Sequence, residues 1–176
     1  MFSSGFAIAS STFDDNKLHY GPNLAIDGKY SIRERETGFY KSHSKDQKPW
    51  HMTVLRRPIY LAAVRIHNIR NDSKYAQTII QDMPRNVTVH AGTFQIEAND
   101  SDVSDLLDSV TNKTICGSYL MPGGEDGGIY TINCQERIKA DVIIIQPTGS
   151  GEKESLLLDE VEFLKEGTLH ELYVIR

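Results

Sequence analysis

The sequence predicts an all-β domain, built as a sandwich or a barrel. Its apolar segments are short, rich in β-branched residues and separated by Pro, Gly, Asn or Asp, which is typical of strands joined by turns. Amphipathic helical periodicity is scarce. With 176 residues, of which 39% are hydrophobic and 24% charged, the chain matches one globular domain with its own core.

The apolar segments define six predicted strands. The run Ala-Asp-Val-Ile-Ile-Ile-Gln at 140–146 is almost continuously apolar, which favours a central strand buried on both faces. The segment that begins at Val161 alternates apolar and polar side chains, as a strand with one exposed face does. The six predicted strands cover residues 54–55, 59–66, 87–90, 129–132, 142–145 and 156–164.

Helix is expected in at most two places. Residues 20–26 predict one short turn, with Gly28 as a stop signal. Residues 101–110 begin with a capping Ser and an acidic first turn, but they fit an acidic surface loop equally well. Residues 121–128 are predicted to be a loop, because four glycines in six residues offer no side chains to pack.

Charge and hydropathy exclude several functions. The net charge is −5 and no Lys/Arg cluster along the sequence is long enough to follow a phosphate backbone, so nucleic acid is not an expected partner. No apolar run approaches the roughly 20 residues of a membrane helix, and residues 1–5 do not resemble a signal peptide. An enzyme is not expected, because zinc-ligand spacing, a Gly-x-Ser-x-Gly elbow and a phosphate-binding Lys are all missing.

Two features nevertheless indicate an extracellular protein, secreted or part of an ectodomain. Four of eight asparagines match the glycosylation acceptor pattern, against about one expected from the Ser/Thr content. The only two cysteines, Cys116 and Cys134, flank a turn-rich segment without metal or redox spacing, and a bridge there would stabilise the fold by about 3 kcal/mol. The alternatives are chance matches and two buried free thiols. The acceptor asparagines are Asn71, Asn86, Asn99 and Asn112.

An ordered set of short motifs resembles one lectin family. They are Ala-Ile-Ala-Ser-Ser-Thr at 7–12, Asn-Leu-Ala-Ile-Asp-Gly at 23–28, Pro-Trp-His-Met-Thr-Val-Leu at 49–55, Val-Arg-Ile-His-Asn-Ile-Arg-Asn-Asp at 64–72, Cys116, Ile-Asn-Cys at 132–134 and Leu-Asp-Glu-Val-Glu-Phe at 158–163. This set resembles the F-type lectins (fucolectins), within the broader galactose-binding, discoidin-like F5/8 type C group. His51 departs from the family's second Trp.

The resemblance implies the architecture. A jelly-roll β-sandwich of the galactose-binding type is expected, with ligand-binding loops at one end. The F-type lectin-like domain would cover residues 1–165. Residues 166–176 would form an additional strand or a linker to a neighbouring domain.

The resemblance also implies a sugar site. The family pattern is His, a long spacer, Arg-x-Asp, four residues, and then Arg or Lys. Here His43 and Arg70 would grip the sugar and Asp72 would orient the basic side chains, while Gln77 stands at the last position without charge assistance. Lys74 could substitute for the missing cation. The alternative is a solvated loop with a surface ion pair.

A structural calcium ion is the second implied feature. Asp27 and Glu160 match the acidic positions of the family, and Leu24, Lys29 and Ser42 would lie near the carbonyl donors. Ca²⁺ takes six to eight oxygen ligands, many of them from ordered turns. In the alternative interpretation Asp27 only forms an Asx turn and Glu160 is a surface strand residue.

The expected function is therefore that of an extracellular carbohydrate-binding domain. Its ligands would be fucosylated or related glycans, with avidity supplied by oligomers or tandem domains. The alternative is a discoidin-like module that binds a cell-surface protein and whose sugar site has degenerated. Gln77, the missing adjacent cysteines of the family, and the Asn71 acceptor inside the motif favour that alternative.

Overall fold

The computed structural model describes residues 4–30, 38–69, 86–94, 105–120, 128–148 and 155–165. Within these ranges the chain is dominated by antiparallel strands, and helical structure is confined to short turns. The strands are β1 (Ser4–Ala9), β2 (Tyr40–Lys41), β3 (His51–His67), β4 (Asn86–Phe94), β5 (Val110–Leu120), β6 (Ile129–Pro147), β7 (Leu157–Leu158) and β8 (Glu160–Lys165). The helical turns are α1 (Lys17–Tyr20) and three 3₁₀ turns at Phe13–Asp15, Pro22–Ile26 and Asp105–Leu107.

The long strands β3 and β6 pair with each other along most of their length. The first part of β3 pairs with β1 and with residues 142–145 of β6, and its second part pairs with β8 and with residues 129–140 of β6. Strand β4 pairs with the end of β6 and with β5. The sheet order is β1-β3-β6-β4-β5, with β8 on β3, and β2 and β7 form a separate two-stranded ribbon.

The pairing of β3 with β6 is irregular in two places. Val54 is opposite Val142 and Ile59 is opposite Ala140, so residues 55–58 of β3 form a bulge opposite Asp141. A bulge bends its strand and increases the local twist. The register shifts again between Leu61, which is opposite Ile138, and Ala63, which is opposite Asn133, so residues 134–137 of β6 are the additional ones there.

Both faces of the central β6 segment are buried. The main core cluster contains Ile143 and Ile145, while Val142 and Ile144 belong to a second cluster with Trp50. All four residues of 142–145 are almost fully inaccessible. This confirms the predicted central strand with two apolar faces.

A disulfide bond joins β5 to β6. Cys116 and Cys134 are bonded, with 18 residues of sequence separation. The two strands are not hydrogen-bonded neighbours in the sheet, so the bond is a separate tie between them. Gly117 beside it allows this close approach, because a Cβ there would lie 2.8 Å from the Asn133 carbonyl oxygen.

The predicted all-β class is confirmed. All six predicted segments contain strand, but 54–55 and 59–66 both belong to β3, 129–132 and 142–145 both belong to β6, and 156–164 contains β7 and most of β8. Strands β1, β2 and β5 were not predicted. The expected turn at 20–26 is divided between α1 and the 3₁₀ turn Pro22–Ile26, and it ends at Gly28 with φ of 78°. In 101–110 the described part holds the 3₁₀ turn Asp105–Leu107 and the first residue of β5. Residues 121–127 and 166–176 lie outside the described ranges. No helix in the described ranges is long and apolar enough to cross a membrane.

His51 is a buried ionisable residue in the core. Its ring is 1% exposed, and its Nε2 donates a hydrogen bond to the Pro22 carbonyl oxygen at 3.0 Å. The ring also packs against Tyr40, with 5.1 Å between ring centroids. Burial lowers the pKa of His51 to about 4 from its usual value of 6.5. The ring is therefore neutral in the folded protein above that pH.

We expect His51 to make the fold sensitive to acid. Between pH 6.5 and pH 4 the unfolded chain binds a proton at this residue while the folded chain does not. Its contribution is therefore complete above pH 6.5 and falls by about 3 kcal/mol as the pH drops to 4. Urea unfolding of the wild type and His51→Phe across this range should show a flatter pH dependence in the variant.

His19→Ala is the matched control, because His19 is exposed. Its unfolding free energy should follow the wild-type pH dependence. An equally steep acid dependence in the wild type and His51→Phe would contradict the assignment.

Candidate functional site

The chain that leads into His43 is fixed by the β2–β7 ribbon. Ser42 is fully buried, its backbone N–H donates to the Leu156 carbonyl oxygen at 2.9 Å, and its Oγ accepts from the Leu156 N–H at 2.9 Å. These two bonds extend the pairing of Tyr40–Lys41 with Leu157–Leu158. These hydrogen bonds therefore fix the backbone directly before His43.

Asp46 holds the His43 loop to the end of β1. Its Oδ2 accepts from the hydroxyl groups of Ser10 and Ser11 at 2.5 and 2.6 Å, and its Oδ1 accepts from the Lys48 N–H at 3.1 Å. The Asp46 N–H in turn donates to the His43 carbonyl oxygen at 3.0 Å. A carboxylate with this many donors fixes the loop, because hydrogen bonds to a charged acceptor are stronger than neutral ones.

The two serines also contact the chain on either side of Asp46. The Ser11 Oγ accepts from the His43 N–H and the Ser10 Oγ accepts from the Trp50 N–H, both at 3.0 Å. Each hydroxyl therefore donates to the carboxylate and accepts from the backbone. The sequence motif did not identify Asp46 or its role, because the two serines are more than 30 residues away along the chain.

The imidazole of His43 has one nitrogen engaged and one available. Its Nδ1 accepts from the Lys45 N–H at 3.0 Å, so in the neutral ring the proton is on Nε2. The residue is partly exposed, and within the described residues its Nε2 forms no hydrogen bond. The loop thus presents an N–H donor with a fixed tautomer to solvent.

The residue before Arg70 packs on the same ribbon. Ile69 is buried and clusters with Leu157 and Phe39, next to the ribbon that carries His43. The predicted sugar-binding residues Arg70, Asp72, Lys74 and Gln77 lie outside the described ranges, as does Asn71, and their roles stay predictions. Ile69, which directly precedes Arg70 in the sequence, therefore lies beside the ribbon whose strand β2 leads into His43.

The predicted acidic pair lies at the Asp-Gly turn. Glu160 is buried, and its Oε2 accepts from the Gly28 N–H at 3.2 Å. Burial, and next the charge of Asp27, raise the pKa of Glu160 to about 8. The Asp27 Oδ1 accepts from the Lys29 N–H at 2.9 Å, and its Oδ2 is 3.8 Å from the Lys29 ammonium.

These contacts confirm one part of the alternative interpretation of Asp27 and Glu160 and contradict the other part. The Asx turn at Asp27 is present, but Glu160 is a buried residue and not a surface strand residue. Two interacting carboxylates, one of them desolvated, suit a hard cation. No group of three or more His, Cys, Asp or Glu residues in the described ranges could hold a metal, so carbonyl oxygens would have to complete a site. A calcium ion at this turn stays a prediction.

A further network lies beside Glu160. Glu162 accepts from the Arg65 Nη1 at 2.9 Å and from the Tyr30 hydroxyl at 2.5 Å, and its Oε1 is 3.4 Å from the His67 Nε2. The hydrogen bond to Glu162 is the main cause that raises the pKa of Tyr30 to about 12. The sequence did not reveal this network, because only the register of β3 with β8 places Arg65 opposite Glu162.

Two of the four acceptor asparagines lie in described strands. Asn112 is exposed on β5 with φ of 52°, and Asn86 is partly exposed at the start of β4. Asn71 and Asn99 lie outside the described ranges. Glycosylation at these four positions stays a prediction.

Solved structures of known proteins share this architecture, although no protein-family model and no curated protein matches the sequence. A fucolectin from striped bass (Morone saxatilis) serum superposes with a TM-score of 0.63 at 20% identity, over 92% of this chain and 47% of that one. An F5/8 type C domain from Bacteroides fragilis gives 0.60 at 12% identity, over 89% and 88%. The fold is that of the F-type lectin and F5/8 type C group.

Other members of this β-sandwich group include carbohydrate-binding modules. The family 32 module of NanJ from C. perfringens, solved in complex with galactose, has a TM-score of 0.58 at 14% identity, over 89% of this chain and 90% of that one. This chain spans about half the length of the striped-bass lectin. At these identities the likeness shows the F-type and F5/8 type C fold alone.

We expect Asp46→Ala to loosen the His43 loop. The variant loses two hydroxyl donors and one backbone donor to the carboxylate, which should lower the unfolding free energy by about 2 kcal/mol in urea titrations. Ring ¹⁵N chemical shifts should show the Nε2–H tautomer of His43 in the wild type and a tautomer mixture in the variant. Asp108→Ala, at an exposed position, is the control. Unchanged stability and unchanged His43 shifts would argue against the role of Asp46.

Proposed function

We propose that this chain is an extracellular carbohydrate-binding domain for fucosylated or related glycans, and that it binds them without covalent chemistry. The observation that carries the proposal is the fixed presentation of the His43 Nε2–H at a loop end of this fold. The shared fold supports it, since a fucolectin from striped bass and a galactose-bound module from C. perfringens have the same architecture. The disulfide is consistent with an oxidising compartment.

The chemistry of the proposed site follows from the hydroxyl groups of a neutral sugar. Each hydroxyl both donates and accepts, so the His43 Nε2–H would donate to one oxygen and the Arg70 guanidinium to two neighbouring oxygens. Asp72 would orient the basic side chains. Lys74 would supply the third basic group that Gln77 does not. Repeated domains or oligomers would provide avidity, because single shallow sites bind weakly.

A glycan array of the purified domain tests this proposal directly. Fucosylated glycans should bind the wild type, and calorimetry with the best ligand should show at least a tenfold loss of affinity for His43→Ala and for Arg70→Ala. His19→Ala and Arg56→Ala are matched controls and should bind as the wild type does.

The second candidate function is that of a discoidin-like module that binds a cell-surface protein. Gln77 in place of the expected cation and the acceptor Asn71 inside the motif favour that candidate. A folded wild type that binds no glycan on the array would exclude the lectin proposal. A glycan on Asn71 of the secreted protein would point in the same direction.

We also propose that one calcium ion occupies the Asp-Gly turn. Asp27 and Glu160 would supply carboxylate oxygens, and carbonyl oxygens near Leu24, Lys29 and Ser42 would complete the shell. The raised pKa and burial of Glu160 support this proposal, because a bound cation would offset the desolvation of its charge.

Thermal unfolding with calcium and with chelator tests the ion. At a hundredfold excess over Kd, calcium should raise the Tm by about 5–10 °C. Asp27→Asn and Glu160→Gln should remove the shift, whereas Glu136→Gln, at an exposed position of β6, should retain it. An identical Tm in calcium and in chelator would contradict the proposal.

A further inference from the structure

Strand β5 forms an open edge of the sheet. Within the described ranges it pairs with β4 alone, so the backbone N–H and C=O groups on its other side have no strand beside them there. The strand is 11 residues long. A long open edge is a template for pairing with another chain, and folded proteins protect such edges with charges, with bulges or with a covering group.

One face of β5 also exposes apolar side chains. Ile115 is 54% exposed and Leu120 is 69% exposed. Their partners on β4 are His90 and Asn86, which are four residues apart, so the two apolar side chains lie on the same face of the sheet. This edge therefore combines open backbone groups with an apolar surface, and both features favour association between copies of the chain.

An acceptor asparagine of the glycosylation pattern lies beside each of these apolar residues. Asn86 is directly opposite Leu120, and directly opposite residues of an antiparallel pair have Cβ atoms about 5 Å apart. Asn112 precedes Ile115 by three residues, which is about 10 Å along a strand. Asn112 is exposed and Asn86 is partly exposed. Within the described residues neither side-chain amide forms a hydrogen bond, so both amides are available to carry a sugar.

The backbone conformation explains only part of this arrangement. The register of β5 against β4 shifts between Ala91 and Thr93, so Asn112 and Lys113 together are opposite Gly92 in a bulge. The φ angle of 52° at Asn112 lies in the left-handed region, which Asn tolerates better than most residues do. The bulge therefore accounts for an asparagine on β5, but it does not account for a second acceptor on β4 at the other end of the same edge.

We propose that N-linked glycans on Asn86 and Asn112 shield the β5 edge and keep copies of this domain from associating through it. The proposal rests on the extracellular location included in the proposed function, because N-glycans are attached to chains that enter the secretory route. An N-glycan is bulky and strongly hydrated, so one glycan beside each apolar residue would prevent a second strand from aligning with β5. Neither acceptor belongs to the His43 loop, so the shielded edge and the proposed sugar site are separate.

Mass spectrometry of the chain secreted from eukaryotic cells tests the attachment. The peptides that contain Asn86 and Asn112 should carry glycans that peptide-N-glycosidase removes, with conversion of each Asn to Asp. Thr114→Val should abolish the glycan at Asn112, whereas Thr114→Ser retains the acceptor pattern and should keep it. A folded, secreted wild type without sugar at either position would overturn the proposal. If that bare protein also associated through Ile115, the edge would be an interface for a second copy of the chain instead.

Sedimentation equilibrium tests the shielding. The variant to compare with the glycosylated wild type combines Asn86→Gln with Thr114→Val, which removes both acceptor patterns and leaves Asn112 in the bulge. Its self-association should be tighter than that of the wild type by about tenfold or more in Kd, because the apolar edge is then uncovered. Equal self-association of the two proteins would contradict the shielding role.

Two further substitutions in this unglycosylated variant locate the association. Ile115→Lys should restore the wild-type behaviour, because a charge on an open edge opposes strand pairing. Leu18→Lys is the matched control, since Leu18 is 79% exposed in α1 and the same change there should leave the association unchanged. Recovery by Ile115→Lys alone also excludes misfolding as the cause, because one surface charge does not repair a misfolded chain. Equal recovery by both substitutions, or by neither, would place the association elsewhere and reject the shield.

Calorimetry with the best fucosylated ligand keeps these results separate from the lectin proposal. The unglycosylated variant with Ile115→Lys should bind that ligand with the wild-type affinity per domain, because the His43 loop is unchanged. A wild type that binds no glycan would reject the lectin proposal without altering the mass spectra or the sedimentation results. Bare acceptors would reject the shield without altering the glycan affinity.

Discussion

The antiparallel pairing of β3 with β6 is the constraint on which the rest of the structure depends. Strand β3 also pairs with β1 and β8, and strand β6 also pairs with β4. Their pairing is irregular at residues 55–58 and again between Leu61 and Ala63, and such irregularities bend a strand and increase its twist. Side chains on this ladder enter both core clusters, and removal of its apolar residues would expose two cores and not one.

The start of the same ladder also adjoins the loop of the proposed sugar site. His43 lies before the first residue of β3, where the loop is tied to the end of β1 through Asp46.

How far the sequence predicts this structure depends on the range of the interactions. The β-branched runs of β3, β6 and β8 predicted their strands because the signal is local. The edge strands β1 and β5 were not predicted, since small and polar residues such as Gly5 and Asn112 become strand only through a paired neighbour. His43 was predicted from a motif, whereas Asp46 was not, because Ser10 and Ser11 reach it only in the folded chain.

The turn at residues 22–28 shows how buried ionisable side chains act as fixed anchors here. His51 donates to the Pro22 carbonyl oxygen at one end, and Glu160 accepts from the Gly28 N–H at the other. Burial favours the neutral form of both groups, which lowers the pKa of His51 and raises that of Glu160. The hydrogen bond from His51 requires only a neutral ring, and the ring is neutral at neutral pH. The Glu160 anchor faces a second carboxylate, Asp27, and at neutral pH a cation is the partner that would let both remain charged.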